Sequence, residues 1–304
     1  MALHNSGMRQ NTHILCIGSV LWDIIGRADV SMVASNDMPG RITRIPGGVA
    51  MNIAIALSRL GLSPVVISSV GKDSEGEELI SQARALGVNC DYLYRSSELA
   101  TDRYMAVEAP NGLIAAIADA HSLEAVGARI LAPLEDGRLG KKSAPFEGLV
   151  ALDGNLTVAL LDEISSSPLF AKADLRIAPA SPGKADRLLP FLRADRGTLY
   201  VNLEEAGLLC QTQFANAREA GHALLQRGAA RALITHGGEP CCDATKGGLI
   251  QADPPKIKVA RVTGAGDTFM AAHIAAELRG KSREEALQSA LAVAAAHVSG
   301  ETAL

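Results

Sequence analysis

The sequence predicts an α/β protein in which a mostly parallel sheet is covered by helices on both faces. Short apolar runs alternate with amphipathic stretches along most of the chain, and the first two such stretches each stop at a glycine. A content of 48% hydrophobic against 20% charged residues suits a chain with a core rather than a disordered one. Parallel strands must be joined by crossovers, and helical crossovers then bury the sheet from both sides.

Taken in order, the first buried strand is expected at His13–Gly18 and the next at Val65–Ser69, with a helix over Val49–Leu60 between them. In that helix Val49, Ile53, Leu57 and Leu60 share a face, and Gly61 supplies the stop. A helix over about Ser74 to Leu86 carries Leu79, Ile80, Ala83 and Leu86 on one side and ends at Gly87. From Gly148 the rhythm continues with strand Leu149–Leu152, helix Val158–Ser165, strand Leu175–Ala178, helix Gly183–Leu192 and strand Thr198–Asn202. Helix Ala215–Arg227, strand Ala232–Thr235, an extended Ile257–Val262 and helices at about Asp267–Arg279 and Arg283–Val298 complete the chain. Ser282 with Glu285 forms a capping box for the last helix, and Asn216 with Glu219 resembles one. Two segments break the pattern, Ser35–Pro46 and Asp91–Ala118, and read as small β-elements projecting from the main sheet. Glu135–Pro145 reads as a solvated loop.

A length of 304 residues allows one large domain or two ordinary ones. Aromatic residues at 3% leave no stacking platform for single strands, and a formal charge of −4 disfavours nucleic acid as partner. The polar N-terminus and the lack of a long apolar run point to the cytoplasm and away from membranes. Five cysteines without CxxC spacing favour neither a disulfide framework nor a closed zinc site.

Three small-residue elements carry chemistry. In Thr263–Gly264–Ala265–Gly266–Asp267, small residues at a helix start let backbone N–H groups approach an anion. Asp267 is there either the helix cap or a base that takes a proton from a hydroxyl nucleophile. In Pro46–Gly47–Gly48–Val49–Ala50–Met51–Asn52, paired glycines make either a plain turn or a close approach to a ligand, and Asn52 offers a donor and an acceptor. In Gly18–Ser19–Val20–Leu21–Trp22–Asp23, the carboxylate falls beyond a strand end, where it can accept two vicinal hydroxyl hydrogens.

Together, in this order, the three elements resemble the ribokinase-like (PfkB) family of carbohydrate and nucleoside kinases, over essentially the whole chain. Gly47–Gly48 through Asn52 and then Ser58–Arg59–Leu60–Gly61 look like its first signature, and Thr263 through Phe269 like its second. The resemblance implies a ribokinase-like three-layer α/β/α sandwich with a small β-lid, in one domain over residues 12–304 after a flexible start at 1–11. The lid would comprise about 35–46 and 91–118, cover the sugar, exclude water and pair two chains as a homodimer. By the same resemblance Asp267 matches the catalytic base, and Gly264, Ala265 and Gly266 the anion hole for the γ-phosphate. Asp23, Gly47, Gly48 and Asn52 match the contacts to substrate hydroxyls. Asn202–Leu203–Glu204–Glu205 matches the element that organises Mg2+ through water at Glu205, the alternative being a solvated turn. Thr235 and Gly237 match the segment beside the phosphates of ATP, and Asn202 and Thr263 join that nucleotide set. Ala50 stands where a further Gly is usual, Leu21 where Asn is frequent, and Arg261 where Asp commonly begins the second signature. The first two would reshape the sugar pocket, and Arg261 weighs against a potassium-type activating site.

Within the family, Asn36 through Val49 looks most like pseudouridine kinases, where Val rather than Lys follows the glycines. Thr101 through Tyr104, Asn111–Gly112–Leu113 and Asp153–Gly154–Asn155 point the same way, which adds Thr101 and Asn155 to the substrate set. Ribose, another nucleoside or a keto-sugar phosphate would use the same base and anion hole. A nicotinamide-dependent oxidoreductase should carry GxGxxG after its first strand, and Gly18 is instead followed by Ser19 and Val20. A non-catalytic sugar-binding protein is the remaining alternative, and retention of Asp267 after its glycines argues against it.

Overall fold

The computed structural model describes residues 14–33, 36–261 and 263–301. The segment ending at His13, Ser35 at the start of the expected lid, Val262 and the last three residues lie outside the described residues.

The N-terminal part contains β1 (Ile14–Ile17), β2 (Leu21–Ala28), β3 (Gly40–Gly47), α1 (Val49–Arg59), β4 (Pro64–Ile67), β5 (Ser69–Gly71) and α2 (Ser74–Ala85). Next come β6 (Tyr94–Ser96), β7 (Arg103–Ala109), β8 (Gly112–Asp119) and the short helices α3 (Ser122–Val126) and α4 (Ala132–Glu135). The alternating part holds β9 (Leu149–Asp153), α5 (Val158–Ser166), β10 (Asp174–Ala178), α6 (Leu189–Arg193), β11 (Thr198–Asn202), α7 (Leu203–Cys210) and α8 (Ala217–Gln226). It is followed by β12 (Arg231–His236), β13 (Glu239–Thr245), β14 (Gly248–Ala252), α9 (Ala265–Leu278) and α10 (Arg283–Ser299).

The large sheet has eight strands in the order β14-β13-β12-β11-β10-β9-β1-β4. From β12 to β4 every pairing is parallel, and β13 and β14 add an antiparallel hairpin. Alternation along each strand sends successive side chains to opposite faces. Thus Leu15 and Ile17 pack with Val150, Leu152 and Ile177 on one face, while Ile14 and Cys16 pack with Leu149, Ala151 and helices α1, α9 and α10 on the other. Neighbouring Cys241 and Cys242 on β13 split the same way, and both are buried free thiols.

A second sheet of four strands, in the order β3-β2-β7-β8, stands apart. Its β2 pairs antiparallel with β3 and parallel with β7. Leu21–Ala28 escapes the sequence reading because it follows Gly18 without a break in apolar character. Of the expected segment 91–118, Tyr94–Ser96 instead pairs with β5.

One expectation is corrected and one alternative is excluded. The helix expected over Gly183–Leu192 is a 3-10 turn at Pro182–Leu188 running into α6, whose first turn holds Pro190 and so lacks that N–H. Residues 257–261 pair with no strand; the N–H groups of Ala260 and Arg261 both donate to the Val298 carbonyl at the end of α10. Asn202–Glu205 is no solvated turn, since it opens α7 with a reciprocal capping box.

Candidate active site

Helices α2, α5, α7, α8 and α10 each have their first turn capped by a side chain, from Asp73, Thr157, Asn202, Asn216 and Ser282 respectively. At α1 the early N–H groups of Val49 and Met51 donate to the hydroxyl and carbonyl oxygens of Ser19, at 2.9 and 3.4 Å. Helix α9 has neither arrangement. Its cap is Gly264, at a φ of 77° that favours glycine, and the first backbone bond is Thr268 N–H to the Gly264 carbonyl at 2.9 Å. The N–H groups of Ala265, Gly266 and Asp267 therefore have no acceptor among the described residues, at the positive end of the helix dipole. A side chain built at Gly266 would meet only open space. Backbone donors facing open space at a helix start are suited to an anion.

Asp267 is not the cap of α9 but its third residue, so its carboxylate is free for another task. Asn52 Nδ2 on α1 donates to Asp267 Oδ2 at 3.0 Å. Desolvation pushes the Asp267 carboxyl up to about 7 against the pull of that bond, with Asp153, Asp23 and Glu205 adding repulsion. Burial likewise raises Asp23 to about 6 and Glu205 to about 7. Four carboxylates from four distant parts of the chain thus share one electrostatic environment.

Asp23 on β2 lies so close to Gly47 that a Cβ there would sit 2.0 Å from Asp23 Oδ2. No donor among the described residues reaches the Asp23 carboxylate, which leaves it an acceptor for hydroxyl groups of a ligand. Gly48 caps α1 beside it, against Ser19.

Below these groups lies a buried network in which Asn155, expected as a substrate contact, is joined by Ser19, Asp153 and Lys184. Asp153, wholly buried at the end of β9, accepts from Ser19 N–H at 2.7 Å and Ser19 Oγ at 2.5 Å. Asn155 donates from its backbone to Asp153 at 2.7 Å and from Nδ2 to Ser19 Oγ at 3.1 Å. Its Oδ1 accepts from Lys184. Only the register of β1 against β9 brings Ser19 and Asp153 together, and no local pattern announces that.

On the other side of α9, Asn202 Oδ1 accepts from the Glu205 N–H and Glu205 Oε2 from the Asn202 N–H, both at 2.8 Å. Thr235 pairs with Asn202 in register, and Gly237 turns the chain from β12 to β13. The Thr263 carbonyl accepts from His297 Nε2 at 2.9 Å, and His297 also takes Arg261 Nε on its own carbonyl at 2.8 Å. His297, on the last turn of α10, thereby braces the segment leading into α9. Thr101 is buried, with its hydroxyl donating to Asp73 Oδ1 at 2.6 Å at the start of α2.

No group of three or more His, Cys, Asp or Glu among the described residues forms a metal cage. Magnesium characteristically rests on one or two carboxylates together with water and substrate phosphates, and a desolvated Glu205 fits that donor set.

An open helix N-terminus beside a carboxylate that can take a proton suits transfer of a phosphoryl group to a hydroxyl. The chain belongs to the pfkB family of carbohydrate kinases, whose profile matches residues 11–303. It is 27% identical over 269 residues to the pseudouridine kinase of Escherichia coli K12, covering 87% of this chain and 83% of that protein. It is 28% identical over 293 residues to an uncharacterized sugar kinase of the same organism, YeiI, covering 95% of this chain and 78% of that one. A solved carbohydrate kinase from Agrobacterium tumefaciens superposes with a TM-score of 0.79 at 26% identity, over 96% of this chain and 92% of that one. The fold is thus ribokinase-like, and the protein is a sugar or nucleoside kinase, a phosphotransferase with an alcohol group as acceptor. Kinases of this family take the phosphoryl group from ATP. No helix among the described residues is long and apolar enough to cross a membrane.

Proposed function

We propose that the protein phosphorylates the 5′-hydroxyl of pseudouridine to give pseudouridine 5′-phosphate. The observation that carries the kinase chemistry is the Asp267 carboxylate, desolvated and held by Asn52 next to the unbonded N–H groups that open α9. Asp23 and Asn52, with the backbone at Gly47 and Gly48, hold the ribose hydroxyls, and the small sheet covers the base. Asp267 takes the 5′-hydroxyl proton as the oxygen attacks the γ-phosphorus of ATP in line. The new oxygen–phosphorus bond forms as the bond to the β-phosphate oxygen breaks, and ADP leaves. The backbone at Gly264, Ala265 and Gly266 meets the charge on the transferring group. Magnesium near Glu205 would supply charge neutralisation on the phosphates when bound.

The choice of pseudouridine rests on Asn36 through Val49 and on the relative from Escherichia coli. Pairing of two copies through the small sheet belongs to the same proposal, supported by its exposed Ile42, Met105, Leu113 and Ile117. An ATP-consumption screen over pseudouridine, uridine, adenosine, inosine, ribose and fructose tests the substrate. Pseudouridine should show the highest kcat/KM, and a clear preference for ribose, fructose or another nucleoside would replace it.

A further inference from the structure

Lys184 is a half-buried cation with no carboxylate in ion-pair contact among the described residues. Its one polar contact among them is the neutral Asn155 Oδ1. Burial and the neighbouring Arg187 both disfavour its charge, with Asp153 opposing them. Asp153 in turn already accepts from Ser19 and Asn155.

The position is built rather than loose. Ala185 and Leu188, fully buried, anchor the 3-10 turn that carries Lys184. Arg187 Nη1 lies 3.4, 3.2 and 3.1 Å from the carbonyls of Gly154, Asn155 and Leu156, tying that turn to the loop after β9.

Strand order says what this cation faces. Ligands of an open α/β sheet gather beyond the carboxyl ends of its strands. Here the chain leaving β1 and β9 carries Ser19 and Asn155, beside the residues proposed for the acceptor, while that leaving β11 and β12 carries Glu205 and Gly237, proposed for the nucleotide and its metal. Strand β10 lies between them, and the turn after it holds Lys184.

We infer that Lys184 is a further catalytic residue, leaving Asn155 to contact the γ-phosphoryl group as it passes from ATP to the acceptor hydroxyl. This rests on the kinase reading above but not on the identity of the sugar. A cation there offsets the carboxylates clustered at Asp23, Asp153, Glu205 and Asp267, which would otherwise repel a polyanionic nucleotide.

The test compares ADP with a non-hydrolysable ATP analogue by calorimetry on the full-length protein and its Lys184→Met variant. The variant should bind ADP as before and lose about tenfold or more in affinity for the triphosphate, the loss of one charge-assisted hydrogen bond. Its kcat should fall by about a hundredfold with the acceptor KM nearly unchanged, and Lys184→Arg should restore part of it. Equal weakening of both nucleotides, or of neither, would overturn the assignment. So would a loss confined to acceptor KM that Asn155→Ala reproduces and the double variant does not deepen, because Lys184 would then only orient Asn155. The nucleotide comparison needs no acceptor, so it stands even where the pseudouridine assignment fails.

Discussion

Asn52 Nδ2 donates to Asp267 Oδ2 at 3.0 Å, a bond between residues 215 positions apart that joins the second turn of α1 to the first turn of α9. It couples the two signature elements chemically, since a donor to the ionised carboxylate favours that form. As the proposed base, Asp267 would act only when ionised, so kcat/KM should rise with pH and level off above about 7. Asn52→Leu removes the opposing donor and should move that limb upward. A pH–rate profile on both proteins checks this; a flat profile from pH 5.5 to 8.5 would exclude Asp267 as the base.

Asp267→Asn should lower kcat by about a hundredfold to ten-thousandfold while nucleotide binding survives. The same change reports on stability. The native carboxyl titrates above its unfolded counterpart, so the native state holds the extra proton between about pH 4 and 7 and loses stability as pH rises through that window. The unliganded Asn variant should therefore be the more stable protein at pH 8, with the advantage gone near pH 4. Thermal melts at the two pH values measure it.

Asp23→Ala deletes an acceptor that no donor of the described residues reaches. The acceptor-substrate KM should rise about tenfold or more, with the ATP KM little changed. An unchanged acceptor KM would take Asp23 out of the sugar site.

Behind the cleft, Glu277 bridges Arg176 and Arg231 at 2.5 and 2.7 Å, and Asp243 accepts from Arg231 and Arg283. His273, buried and lowered to about 4 by desolvation, shares a 2.8 Å hydrogen bond with Tyr200. Glu277→Ala removes one of the two carboxylates on each of Arg176 and Arg231, leaving Asp174 and Asp243, and should cost about 1–3 kcal/mol in chemical denaturation.

The parallel layer order was legible because apolar runs with the strand period alternate with helix-period stretches, and these are local signals. The glycine elements were legible for a different reason: close approach and a left-handed φ limit what can stand at Gly47 and Gly264. Asp153, Lys184 and His297 were not, because their partners at Ser19, Asn155 and Thr263 are set by strand register and by the return of the C-terminal helix. Asp267 invited a cap reading because an acid beside glycines usually caps; a left-handed Gly264 moved the helix start forward.

The ionic cluster behind the cleft has a mechanical consequence. Helix α9 presents Asp267 at one end and, near the other, is bolted by His273 and Glu277 to three strands of the large sheet, β10, β11 and β12. The proposed base and its backbone donors form an anvil. Any change in the width of the cleft then belongs to the four-stranded sheet, whose outer strand β8 is exposed along its whole length. Amide exchange should be fastest there and slowest along α9, so that the part proposed to cover the sugar yields while the part proposed to perform the chemistry stays fixed.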